Sequence, residues 1–93
     1  MANKRYYVED NGEGFSSSNF VGRLAKAGYS PIQSISGSEV VLYDINNAGV
    51  LFIPGYNKSM KTGNVLITTN PNNFNKTKAK IERETKSKLE EIN

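Results

Sequence analysis

The chain has 93 residues and a formal net charge of +3, and it contains no cysteine and no histidine. That length fits one domain and is short for two. The missing residue types exclude a disulfide framework, a thiolate nucleophile, an imidazole general base and the usual zinc ligands. Hydrophobic residues make up 37% and charged residues 23%, a folding composition rather than a disordered one. No apolar run approaches the ~18 residues of a membrane span. The opening MANKRYYVED lacks the apolar centre of a signal peptide, so a cytoplasmic protein is expected.

The charge is uneven. Residues 1–56 carry a net −1, whereas residues 57–93 hold seven lysines and Arg83 against four glutamates, a net +4. Basic asymmetry of this size suits a polyanionic partner.

In chain order, KRYYV at 4–8 predicts a short strand with Tyr6 and Val8 on one side and Tyr7 on the other. Asn11-Gly12-Glu13-Gly14 is loop chemistry. A helix is predicted over 17–27, with Ser17 or Ser18 as N-cap and Phe15 as a staple. Its apolar stripe is Phe20, Val21, Leu24 and Ala25, with Lys26 in the last turn and Gly28 at C′. Gly22 inside this helix suggests close packing on a sheet. A weak strand follows around 32–36. Two stronger strands, Glu39–Asp44 and Gly49–Ile53, flank a hairpin loop at Ile45-Asn46-Asn47-Ala48. Asn57–Gly63 reads as a polar basic loop and Val65–Thr69 as a further strand. Asn70-Pro71-Asn72-Asn73 reads as a break. From Asn75 the pattern is helical, with opposite charges at i, i+4: Lys78–Glu82, Lys80–Glu84, Glu82–Lys86, Glu84–Lys88 and Lys86–Glu90.

These elements predict one α+β domain over residues 1–93. An antiparallel sheet of three or four strands carries an N-terminal helix and a C-terminal helix. Residues 1–15 are a partly ordered extension and 75–93 a basic helix. The expected core is Phe20, Val21, Leu24, Val40, Leu42, Leu51, Phe52, Ile53, Leu66 and Ile81.

Three groups of residues carry possible chemistry. Glu39, at a strand entrance, can act as a general base in phosphodiester cleavage only if burial raises its pKa and a cation stands beside it. Ser36, Gly37 and Ser38 before it are neutral, so a solvated acid is the expectation. The cations Lys58, Lys61, Lys76, Lys78, Lys80, Arg83, Lys86 and Lys88 can track a phosphate backbone. The acid-free stretch around Lys58 and Lys61 suits this best, because glutamates interleave beyond Arg83. The tyrosines 6, 7, 29, 43 and 56 can stack on bases or form a protein-binding patch, although most are expected in or at the core.

The order of pieces from SSSNFVGRLAKAGY through GSEVVLYD to VLFIPGYNKSMKTGNV, roughly residues 16–66, resembles the HicA-like toxins. In that family a helix ends in a K-x-G-aromatic turn, matched by Lys26-Ala27-Gly28-Tyr29. A later P…[LM]-K-x-G-[TN]-[LV] segment is matched by Pro54 and by Met60-Lys61-Thr62-Gly63-Asn64-Val65. The resemblance implies a double-stranded-RNA-binding-domain-like fold. The family's catalytic histidine falls on Glu39, so its ribonuclease activity is not implied.

The expected function is a small non-enzymatic binding protein on a HicA-like scaffold. It takes RNA or a protein partner, antitoxin-like or a host target, through Tyr56, Lys58, Lys61, Lys76, Lys78, Lys80 and Arg83. No cofactor, metal, membrane or small-molecule substrate is indicated. The alternative is a phage-type or other mobile-element inhibitor that blocks a host or defence protein by direct contact. A ribonuclease using Glu39 is a third and weaker reading.

Overall fold

The structure, a computed structural model, describes residues 3–10, 17–34, 40–58 and 61–92, with only the backbone described for 10, 17–19, 56–58 and 61–63. It is an α+β fold. The elements are β1 (Lys4–Asp10), α1 (Ser17–Lys26), β2 (Pro31–Ser34), β3 (Val41–Tyr43), β4 (Val50–Lys58), β5 (Lys61–Thr68), α2 (Pro71–Asn75), α3 (Lys78–Thr85) and β6 (Ser87–Ile92). Six strands form one antiparallel sheet in the order β2-β3-β4-β5-β1-β6. The sheet is therefore larger than the three or four strands expected.

Strand alternation sorts the side chains into two faces. Register pairs Tyr6 with Leu66, Leu66 with Phe52, and Val8 with Leu89, so these positions share one face. All are buried there with Phe20 and Leu24 of α1, Phe74 of α2 and Ile81 of α3. All three helices thus cover the same face. Tilted aromatic pairs fix two of them, Phe20 on Phe52 at 4.8 Å between ring centroids and Phe74 on Tyr6 at 5.3 Å.

The opposite face holds Leu42, Leu51, Ile53 and Ile67, half-buried, with Val65 2% exposed and outside the main core cluster. Leu42, Leu51 and Ile53 were expected in the core, as were Val21 and Val40, which are also half-buried. Apolar residues on both faces of β3 and β4 leave the alternation without a marked inner side.

Residues 4–10 of the expected N-terminal extension form β1, which lies between β5 and β6. Residues 11–16 and 35–39, and with them Phe15 and Glu39, lie outside the described residues. The basic C-terminal helix is corrected most. Within 75–93 only Lys78–Thr85 is a full helix, α3, and it is followed by a strand, β6, paired with β1 from Arg5↔Ile92 to Asp10↔Ser87, while α2 ends at Asn75. Asn70-Pro71 is a helix start rather than a break: the Asn70 side chain accepts from Asn73 N–H at 3.3 Å, and Pro71 takes the first turn.

Local chemistry sets the turns. Gly28, at φ +97°, ends α1 in a Schellman turn in which Tyr29 N–H donates to the Leu24 carbonyl at 3.0 Å. Between β3 and β4, Asn46 and Asn47 both have positive φ, and Ala48 N–H closes on the Ile45 carbonyl at 2.9 Å, the pattern of a type I′ turn. The Ala48 carbonyl accepts from Thr68 Oγ1 at 2.9 Å, Thr69 Oγ1 at 3.1 Å and Asn70 N–H at 3.1 Å. This ties the loop to the start of α2. Of the expected polar loop 57–63, residues 57–58 and 61–63 are instead paired strand, the ends of β4 and β5, and 59–60 lie outside the described residues. A register shift between Ile53 and Tyr56 places one extra residue on β4, where Gly55 has φ +67° and its N–H donates to Asn64 Oδ1 at 2.8 Å. Glu82 guards the outer edge of the sheet, its Oε2 accepting Leu89 N–H at 2.9 Å.

Two glycines of α1 and the β3–β4 loop make opposite predictions. Gly22 is exposed, and a Cβ there meets nothing within 4 Å, so the close packing expected for it is absent. Gly22→Ala should raise stability by about 0.5–1 kcal/mol. Gly49 has φ +57°, and its added Cβ would stand 2.5 Å from Thr69 Oγ1. Gly49→Ala should cost about 1–3 kcal/mol. Urea titration of both variants checks the pair.

Tyr43 is fully buried, and its hydroxyl has no hydrogen-bond partner among the described residues. Burial pushes its phenol above the ordinary value of 10.0. The unfolded chain then ionises first as pH rises, so this contribution is intact below the ordinary phenol pKa and is lost as pH climbs through the raised one. Tyr43→Phe should raise stability by about 1 kcal/mol at neutral pH and delay alkaline unfolding. Thermal melts across the alkaline range read both effects.

Candidate nucleic-acid interface

The helical layer concentrates the charge. Residues 17–29 and 70–86 contain seven cations, Arg23, Lys26, Lys76, Lys78, Lys80, Arg83 and Lys86, against two acids, Glu82 and Glu84. That is a net +5 on a chain of net +3, so the remaining residues carry a net −2. The helical layer is the basic side of the fold.

The side chains within it differ in role. Arg23, half-buried, donates from Nη1 to the Thr85 carbonyl at 3.0 Å. It satisfies a carbonyl left open at the C-terminal end of α3, where a cation also meets the negative end of the helix dipole. Near the other end of α3, Lys80 Nζ lies 5.6 Å from the centroid of the Tyr29 ring. These two contacts show α1 and α3 running in opposite directions.

Lys78 is engaged within the fold. Its Nζ is 3.6 Å from Glu82 Oε1 and 5.9 Å from the Tyr6 ring centroid. Of the five i, i+4 charge pairs expected, Lys78–Glu82 is formed. Glu84–Lys88 and Lys86–Glu90 cannot form as helical pairs, because α3 ends at Thr85. Lys26, Lys76, Lys80 and Arg83 are exposed. Lys80 and Arg83 are three residues apart on one face of α3, and Lys76 lies in the turn just before the helix starts. A phosphate backbone laid along α3 would meet Lys80 and Arg83, with Lys76 at the start of the helix and Lys26 on the neighbouring α1.

The structure separates the expected site into two groups. Lys76, Lys78, Lys80 and Arg83 lie in the helical layer. Tyr56, Lys58 and Lys61 lie in the hairpin extension, whose side chains fall outside the described residues. The register opposes position 58 to position 61, and beyond Asn64 no third strand flanks this pair among the described residues. Two like charges at directly opposed positions disfavour a hairpin. Tyr6 and Tyr43, considered for base stacking, are core residues instead.

Arg23 and Lys26 were absent from the expected site. The signal was present in sequence, since no acid occurs between 17 and 29, but only the packing of α1 beside α3 joins them to the other cations.

Comparison with family models, curated proteins and solved structures returns no match. The HicA-like resemblance gains no support from them. Among the described residues no helix is long and apolar enough to cross a membrane.

The assignment of roles predicts a split in stability. Arg23→Ala removes the clamp on the α3 terminus and should cost about 1–2 kcal/mol. Lys76→Ala and Arg83→Ala should leave the denaturation midpoint unchanged within error. Chemical denaturation of the three variants measures it.

Proposed function

We propose that the chain is a non-enzymatic RNA-binding protein that grips the phosphate backbone with its helical layer. The observation that carries this is the charge segregation: a net +5 over residues 17–29 and 70–86, the helices and their turns, against −2 on the remainder, with Lys26, Lys76, Lys80 and Arg83 exposed. Each phosphate contact releases condensed counterions, so affinity falls steeply with salt. The lack of cysteine and histidine in the sequence supports binding rather than cleavage. A HicA-like scaffold remains part of the proposal, and the Lys26-Ala27-Gly28-Tyr29 turn that carries the resemblance is the Schellman turn closing α1.

A second reading, an inhibitor acting by direct protein contact, is favoured by one observation. Strand β2 lies at the sheet edge, all four of its residues are exposed, and Ile32 is an exposed large hydrophobic at 59%. An extended partner segment can add to such an edge.

Fluorescence anisotropy with a short labelled RNA duplex at several salt concentrations separates the two. The triple variant Lys76→Ala, Lys80→Ala, Arg83→Ala should flatten the slope of log K against log salt by about 2 units. Lys58→Ala with Lys61→Ala should flatten it by less than about 1 unit. Saturable binding that ignores salt, or a triple variant that binds as the parent does, overturns the proposal. Loss of binding to a protein target on Ile32→Asp, with RNA binding absent in the parent, would establish the second reading.

A further inference from the structure

A single residue joins α3 to β6. Lys86, between Thr85 and Ser87, has a left-handed backbone at φ 54° and ψ 44°, and its N–H donates to the Glu82 carbonyl. There the chain turns from α3 into the edge strand β6. Glycine adopts this conformation freely, whereas a lysine is strained in it.

The contacts beyond the hinge are made to the body of the fold. Leu89, 3% exposed, enters the core, and its N–H meets Glu82. Ser87 Oγ pairs with Thr85 Oγ1 at 2.6 Å, and Glu91 with Lys4 at 3.2 Å. The strand also forms its ladder with β1. An identical strand from a second molecule would make every one of these contacts equally well.

The sequence across the hinge also suits a straight helix. Ile81, Thr85, Leu89 and Ile92 fall at i, i+4, i+8 and i+11, and Glu82 is placed four residues before Lys86. Left-handed backbone at residue 86 is thus imposed by the closed fold and not by local preference.

We propose that two copies of this chain exchange β6. Lys86 passes from left-handed to helical backbone, α3 continues past Thr85, and residues 87–92 of each copy lie beside β1 of the other. The closed monomer and the exchanged dimer share their contacts, so the balance is set by hinge strain and protein concentration. This is independent of the RNA-binding proposal.

The test uses the absence of native cysteine. Glu9 and Lys88 are directly opposed across β1 and β6, and both are exposed. Chains carrying Glu9→Cys are unfolded together with chains carrying Lys88→Cys, refolded at high concentration and oxidised. Exchange predicts a disulfide-linked heterodimer far above twice either homodimer, the ratio of random pairing, with a yield that rises with concentration. Adding Lys86→Val, a branched residue ill-suited to positive φ, should raise the yield about tenfold, and Lys86→Gly should lower it. The double variant Glu9→Cys, Lys88→Cys, kept dilute, should close within one chain, which verifies the geometry of the pair. Heterodimer at no more than twice either homodimer, while that double variant closes normally, overturns the proposal. The parent hinge alone decides this should the Lys86→Val chain fail to fold.

Discussion

Tyr6 is the contact on which the arrangement depends. It sits in β1, paired on one side with Leu66 of β5 and on the other with Glu91 of β6. Its ring packs on Phe74 of α2 and lies beneath the Lys78 ammonium of α3. Burial raises its phenol pKa, a charged Lys4 opposing the shift and Glu91 adding to it. One side chain therefore fixes the last two helices over the middle of the sheet. Phe20 on Phe52 does the same for α1. Once the three helices share a face, their cations share a surface, and that surface follows from core packing rather than from any sequence motif.

The internal use of cations explains why charge and function are not the same set. Arg23 closes the end of α3, and Lys78 is held by Glu82 and by the Tyr6 ring. Both are drawn toward the structure because they are half-buried, where a hydrogen bond or ion pair is screened less than at the surface. Lys26, Lys76, Lys80 and Arg83 stay in solvent, where water and salt screen their mutual repulsion.

Much of the fold was legible from local pattern. The helix of Phe20 and Leu24 and its Gly28 stop, the two sides of Lys4–Val8, and the strands on either side of Asn46-Asn47 all follow from one periodicity and one turn signal each. The C-terminal third was not, for a physical reason. Residues 81–92 satisfy a helical stripe through Ile81, Thr85, Leu89 and Ile92 and also a strand alternation through Ser87 and Leu89. Pairing with β1, more than seventy-five residues away in sequence, decides between them, and no local pattern contains that partner. Asn70-Pro71 carried both break and cap meanings, and the Phe74 side chain buried on Tyr6 selects the cap. The candidate site was legible as a list of cations and illegible as a surface. Lys58 and Lys61 belong to a hairpin extension, while Arg23 and Lys26 join Lys80 and Arg83 only through the antiparallel packing of α1 and α3.

The measurement closest to the central claim is an amide chemical-shift titration of the full chain with a short RNA duplex at low salt. The account predicts saturable shifts concentrated in residues 23–29 and 76–86, with the opposite face of the sheet, Leu42, Leu51, Ile53 and Ile67, unmoved. Shifts centred on that opposite face or on Pro31–Ser34, with the helical layer silent, would contradict it.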